Sequence, residues 1–288
     1  MGMGGSAGPA YAAGMTTHAP PPVRATAPPA RTRSEPWEFT GARGHRLSGR
    51  LELPVDAEPT AVALFAHCFT CGKDGLAAAR TSRFLARRSL AVLRFDFTGV
   101  GGSGGEFADT DFSGNVADVV LAAEALRTRL RPPTLLVGHS LGGAAVLAAA
   151  HRVPGVRAVA TIGAPAHPGH VRAQFTAADR ERITRDGAAE VMLAGRPFRV
   201  GAGLLRDVAE QPQQQRIAAL PAPLLVLHSP DDTLVPPSQA REIQHTAGDG
   251  ASLVWLHGTD HLLTGRAGAE RAAALISAWA APLLAGGE

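Results

Sequence analysis

The sequence predicts an α/β architecture: a mostly parallel central sheet with helices on both faces. Three observations predict it. Short aliphatic runs alternate with amphipathic stretches along most of the 288 residues. Those runs are continuously apolar, the pattern of strands buried on both faces. Apolar residues make up 45% of the chain and aromatics only 5%, which is enough for a large aliphatic core in one domain of this length.

The elements follow in order. Residues 1–34 are rich in Gly, Ala and Pro and nearly devoid of large aliphatics. Such a segment buries too little surface to offset the entropy of ordering, so a disordered tail is expected there, with order from near Trp37. The stretch PWEFTGARGHRLSGRLELP alternates around a Gly-containing turn and reads as an opening hairpin. Strands are then expected at 61–67, 91–97, 134–139, 157–163, 223–228 and 252–257, and helices at 75–89, 115–130, 141–152, 237–247 and 266–284. Residues 166–218 break the alternation. They carry more charge and glutamine and are far longer than the dozen or so residues a crossover needs. Within them AEVMLAGRPFRVG reads as a small hairpin, followed by a helical LLRDVAEQPQQQRIAAL. The segment is expected to be a cap inserted above a core formed by 35–165 and 219–288. No internal repeat is visible.

Charge narrows the function classes. The formal net charge is +3, and Lys73 is the single lysine. Arg24, Arg31 and Arg33 lie in the acid-free first 34 residues, so the remainder is formally neutral. No basic stripe interleaved with aromatics is present, and no nucleic-acid partner is expected. Cys68 and Cys71 are the only cysteines; they are too few for a disulfide scaffold and point to a reducing, cytoplasmic compartment. No apolar run approaches the roughly 18 residues of a bilayer span, and the N-terminus lacks a secretory pattern.

The stretch TLLVGHSLGGAAVLAAA (134–150) carries the chemistry. Gly138-His139-Ser140-Leu141-Gly142 falls where a buried strand meets a helix, the context of a G-x-S-x-G nucleophile elbow. The corner lifts the Ser140 hydroxyl above the sheet and aims the Leu141 N–H at the same point. A serine cap flanked by chance glycines is the plainer alternative. A nucleophilic serine needs a base, and the base an orienting acid. In elbow folds these follow as Ser, Asp or Glu, then His. SPDDTLVP, after the strand at 223–228, offers Asp231 and Asp232; GTDHLL, after 252–257, offers His261. Asp232 is preferred, with Asp231 as a turn residue. His257 is expected to pack within its strand, and Asp260 is too near His261 in sequence to orient it.

The second oxyanion donor should follow the strand at 61–67, and the Phe69 N–H is the candidate. Cys68 and Cys71 form C-x-x-C there, but three residues separate the pair from the expected helix. Redox chemistry is therefore disfavoured, and the cysteines are expected to contribute packing. GVGGSG (99–104) matches G-x-G-x-x-G, yet no helix begins inside it, so it is not read as a dinucleotide site. The following helix should be capped by Ser113 or Asn115. Neither a metal nor an organic cofactor is implied.

The segments FAHCFTCGKD, LRFDFTGVGGSGGEFADTDFSGNVADV, VGHSLGGAAVLAAAHRVP and TIGAPAHPGHV resemble the α/β-hydrolase superfamily. The likeness is to its serine aminopeptidase and esterase-like branch, and within it to hydrolases often fused to OsmC-like domains. The resemblance spans about 35–285. It implies an α/β-hydrolase fold, a Ser140-Asp232-His261 triad and an oxyanion hole from Phe69 and Leu141. The activity implied is that of a serine hydrolase acting on a small-molecule acyl substrate (an ester, thioester or small amide). A peptidase, or a binding or thiol-sensing module on the same scaffold, is the alternative. The family's usual His-Gly is His67-Cys68 in this chain.

Overall fold

A computed structural model describes residues 1–2 and 30–285. The chain enters its sheet through a hairpin, β1 (Thr32–Thr40) and β2 (Arg46–Pro54), in which Thr32 pairs with Pro54 and Thr40 with Arg46. There follow β3 (Ala61–Ala66), α1 (Leu76–Ala86), β4 (Leu90–Phe95), α2 (Phe112–Arg129), β5 (Leu135–His139), α3 (Leu141–Ala149) and β6 (Ala158–Ile162). An intervening segment holds α4 (Ala177–Asp186), β7 (Ala188–Leu193), β8 (Arg196–Gly201), α5 (Ala202–Asp207) and α6 (Gln213–Ala218). The remaining elements are β9 (Leu224–His228), α7 (Pro237–Ala247), β10 (Ala251–Trp255) and α8 (Arg266–Ala285). Eight strands form one sheet in the order β1-β2-β4-β3-β5-β6-β9-β10. From β4 to β10 the neighbours are parallel; β2 runs antiparallel to β4, and β1 to β2.

The parity of each strand explains the two layers. Ala63 and Phe65 of β3, Val92 of β4, Val137 of β5 and Leu227 of β9 face α1 and α8. Leu64, Leu93, Leu136 and Val226 face the layer of α2, α3 and α7. Both sets are essentially inaccessible. Each such Val, Leu or Phe side chain contributes roughly 2 kcal/mol of transfer free energy. At the base of the sheet, Arg157 donates to the Leu284 carbonyl at 3.2 Å, and Val55 N–H to the Arg31 carbonyl at 3.0 Å.

Several boundaries correct the sequence reading. The tail expected at 1–34 lies largely outside the described residues, and its last part is wrong: β1 begins at Thr32, held by a full antiparallel register. The N-cap of α2 is Asp111, whose carboxylate accepts from Gly114 N–H at 2.6 Å. Of the two expected caps, Ser113 and Asn115, Ser113 donates instead to Asp207 at 2.7 Å. Between β6 and β9 the structure adds α4, closed by a Thr176–Asp179 capping box, where no element was expected. The expected long helix there is two short ones, with Pro212 at the start of α6. Proline has no N–H to continue a helix from the preceding turn.

The β7–β8 hairpin rests on loops at the carboxyl ends of β3 and β4. Arg196 donates to the Thr70 carbonyl, and the Phe198 ring lies 5.1 Å from Phe107. Phe107 is in turn 5.4 Å from Phe69, and Phe175 is 6.4 Å from it. Gly201 is required at this contact, because a Cβ there would stand 2.1 Å from the Ala108 carbonyl. Among the described residues, no helix is long and apolar enough to cross a membrane.

Candidate active site

Ser140 occupies the single residue between β5 and α3, with φ 54° and ψ −125°. A non-glycine residue in such a region costs on the order of 1–3 kcal/mol and persists only where its surroundings enforce it. Two glycines make the corner possible. A Cβ on Gly138 would lie 2.4 Å from the Gly142 carbonyl, and one on Gly142 would lie 2.2 Å from the His67 carbonyl. The spacing G-x-S-x-G thus records three backbones in contact: β5, α3 and the end of β3. Ser140 N–H closes the corner by donating to Ile162 O at 2.8 Å.

The structure brings Ser140, His261 and Asp232 together. His261 Nδ1 is 2.6 Å from Asp232 Oδ2, and His261 Nε2 is 3.0 Å from Ser140 Oγ. A carboxylate only accepts, so Nδ1 carries the proton and Nε2 is left to accept from the hydroxyl. The other carboxylate oxygen, Oδ1, accepts from Leu234 and Val235 N–H, both at 2.9 Å. Burial alone would raise the Asp232 pKa. The His261 bond and the two backbone donors outweigh it and hold the carboxyl below the usual range. The rivals stand elsewhere. Asp231 is exposed, and its N–H donates to Ser229 Oγ at 3.2 Å. Asp260 accepts from Thr264. His257, expected to be packed in its strand, is exposed, because β10 ends at Trp255.

Two further histidines support this arrangement, and sequence reading missed both. His139 Nε2 donates to the His261 carbonyl at 2.7 Å, and His228 Nε2 donates to the Val235 carbonyl at 2.8 Å. Burial lowers both pKa values, that of His139 to about 4, with the neighbouring His261 adding to the effect. Both are therefore neutral donors at pH 7. The signal available was positional, since each is the last residue of a buried strand that ends at the candidate site. His170, from the segment after β6, donates to the Leu234 carbonyl at 2.8 Å and ties that segment to the acid loop.

The loop after β3 is fixed at both ends. His67 Nδ1 donates to the Cys68 carbonyl at 2.7 Å, and its Nε2 accepts from Phe97 N–H at 3.3 Å. Burial lowers its pKa and keeps it neutral. Lys73 donates to Asp96 twice, from its backbone at 2.6 Å and its ammonium at 2.8 Å. Burial would raise Asp96, but the Lys73 contacts and Gly102 N–H prevail and lower it. The glycines of GVGGSG wrap this carboxylate: a Cβ on Gly101 would lie 2.4 Å from Asp96 Oδ2. That loop serves the oxyanion-loop candidate from below.

Cys68 and Cys71 are joined in a disulfide, which corrects the expectation of two packing thiols. A turn with Cys71 N–H donating to the Cys68 carbonyl (3.2 Å) brings their Cα atoms to 5.3 Å, inside the disulfide range. Phe69 and Leu141 are both buried. Among the described residues neither N–H donates to a protein acceptor. Leu141 opens α3 and so has no carbonyl one turn behind it.

Fold and geometry together define a class, and the comparisons agree: the model of the α/β hydrolase family matches residues 63–275, and the chain belongs to that family. Among its relatives is the esterase domain of a Rhodothermus marinus protein, 41% identical, with a TM-score of 0.71 over 86% of this chain and 98% of that one. A monoacylglycerol lipase of Mycolicibacterium smegmatis is 29% identical over 238 residues, which cover 73% of this chain and 83% of the lipase. Est1E of Butyrivibrio proteoclasticus, solved with ferulic acid, shares the fold at 20% identity and a TM-score of 0.73, over 85% of this chain and 98% of that one.

Proposed function

We propose that the protein is a serine esterase working through an acyl-enzyme on Ser140, and that residues 166–218 form a cap over its site. The single observation that carries this reading is the continuous relay from Asp232 through His261 to the Ser140 hydroxyl. The names of the Rhodothermus esterase domain and the mycobacterial lipase support an ester as the bond cleaved. Thioesters and small amides lie within reach of the same chemistry.

Ser140 Oγ attacks the acyl carbon while His261 Nε2 takes its proton. The Phe69 and Leu141 N–H groups receive the oxyanion, where fixed donors need no reorganisation as charge develops. Asp232 holds the imidazole tautomer and stabilises the imidazolium. His261 then returns the proton to the leaving oxygen, and water clears the acyl-enzyme by the same route. Ser140→Ala is expected to lower ester turnover by about 10⁶, as in the subtilisin worked case. The checks are an activity assay and labelling with a fluorophosphonate. Stoichiometric labelling of the Ser140→Ala protein would remove Ser140 from the nucleophile's role.

A further inference from the structure

An apolar space lies beside the site on the α1 side. A cavity of about 150 Å³ opens between the turn at Cys71, the first turn of α1 and the segment after His261. Its walls include Leu76, Ala77 and Ala78 of α1, together with His139, Leu262 and Thr264. Leu76 and Leu262 are 49% and 41% exposed, which places two leucines at its mouth. His67 and His139, the two rings with titratable nitrogens in its lining, are both kept neutral at pH 7 by burial. The cavity therefore offers carbon and no charge.

Its position ties it to one half of the substrate. Leu262 follows His261 in the chain and His139 precedes Ser140. In the proposed mechanism the leaving oxygen must lie within hydrogen-bond reach of His261 Nε2 to receive its proton. The histidine's own loop, through Leu262 and Thr264, forms one wall of this cavity. The acyl side is left to the rings of Phe69, Phe107, Phe175 and Phe198 under the β7–β8 hairpin.

We propose that this cavity is a leaving-group subsite that binds the apolar alcohol portion of the ester, with Ala78 limiting its depth. A space of this volume takes a benzene-sized group, or about six carbons. In the step it serves, the acyl carbon–oxygen bond breaks as the Ser140 Oγ–carbon bond forms. The serine proton passes through His261 to the departing oxygen, and the neutral alcohol leaves through the cavity. The proposal rests on the serine-esterase reading.

The test uses two ester series on the full chain. One fixes an acetyl group and extends the alcohol from methyl to hexyl; the other fixes methanol and extends the acyl chain from acetate to hexanoate. In the wild type kcat/KM should rise along the alcohol series, by up to about fourfold per buried methylene. Ala78→Leu should lower the hexyl-to-methyl ratio about tenfold or more while moving the hexanoate-to-acetate ratio less than about twofold. Leu76→Ala, at a half-exposed position that tolerates truncation, should lower the same alcohol ratio by about fourfold and serves if Ala78→Leu does not fold. A shift confined to the acyl series would overturn the assignment, as would unshifted ratios in variants that still react with fluorophosphonate. Failure of the wild type to label at Ser140 would instead sink the esterase reading and this proposal with it.

Discussion

At Asp232 every acceptor position facing the protein is used: one oxygen by His261, the other by two backbone N–H groups. Asparagine would keep the size but present an amide to an imidazole that already carries a proton on the facing nitrogen. Asp232→Asn is therefore expected to reduce kcat/KM by about 10⁴, the loss seen for that change in the chymotrypsin-type triad. Asp231→Asn, at an exposed position, should stay within about twofold. Steady-state kinetics on one ester decides, and the opposite ranking would reassign the acid. His139 makes a different prediction. It stays neutral in the fold down to about pH 4, whereas in the unfolded chain it takes a proton near the ordinary imidazole pKa of 6.5. The unfolded state thus binds more protons between those values, so stability is full above about pH 6.5 and falls as pH drops toward 4. The loss is about 3 kcal/mol at the low end. Urea unfolding at pH 7 and pH 4.5 should show a smaller decline for His139→Gln, which keeps a donor for the His261 carbonyl. Equal declines would exclude His139 as the source.

At the scale of elements, the oxyanion-loop candidate has three independent fixings: His67, the Cys68–Cys71 bond, and the Lys73–Asp96 pair. Removing the middle one leaves both ends held. Cys68→Ser combined with Cys71→Ser is expected to retain ester hydrolysis within about tenfold of wild type, or roughly 1.4 kcal/mol of barrier. Activity of both proteins with and without a reductant is the measurement, and near-complete loss with labelling of Ser140 intact would make the disulfide essential to the oxyanion geometry. This loop also marks how far sequence reaches. Continuous apolar runs located the parallel strands, because burial on both faces leaves no polar positions. The elbow glycines were legible, because no other residue fits three touching backbones. The C-x-x-C bond was not, since its spacing suits an unbonded turn equally well. The α2 cap was missed because Asp111, Ser113 and Asn115 all have capping side chains within five residues, and only the fold shows Asp111 taking the Gly114 N–H while Ser113 turns to Asp207. His139 and His228 were hidden because a histidine ending a buried strand looks, in sequence, like one more core residue. Helix α4 was missed because only Ile183 of its ten residues is buried, so it carries almost no apolar periodicity.

For the whole molecule, the parallel order sets the geography. Residues 67–73, Ser140, Asp232 and His261 all follow the carboxyl ends of β3, β5, β9 and β10, and open α/β sheets gather their ligands at that end. The segment after β6 leaves from the same end, which is why it meets the loops bearing Phe69 and Phe107 rather than the base of the sheet.

The hairpin register and the Arg157–Leu284 bond have a consequence for attachment. Pro54 closes a strand that runs antiparallel to β4, so its partner Thr32 stands at the amino-terminal edge of the parallel strands. Leu284 is bound beside the start of β6, at that same edge. Thr32 and Leu284 therefore lie at one pole, and the candidate site opens at the other. The molecule is built like a lamp on its stand, with Thr32 and Leu284 both at the foot. A fluorescent protein fused before Met1, or one fused after Glu288, should leave kcat/KM for a short ester within about twofold, since both attachments join the core at the pole away from the site. A loss from one fusion only, with the fused protein still folded, would mean that its tether crosses the molecule to the opposite pole.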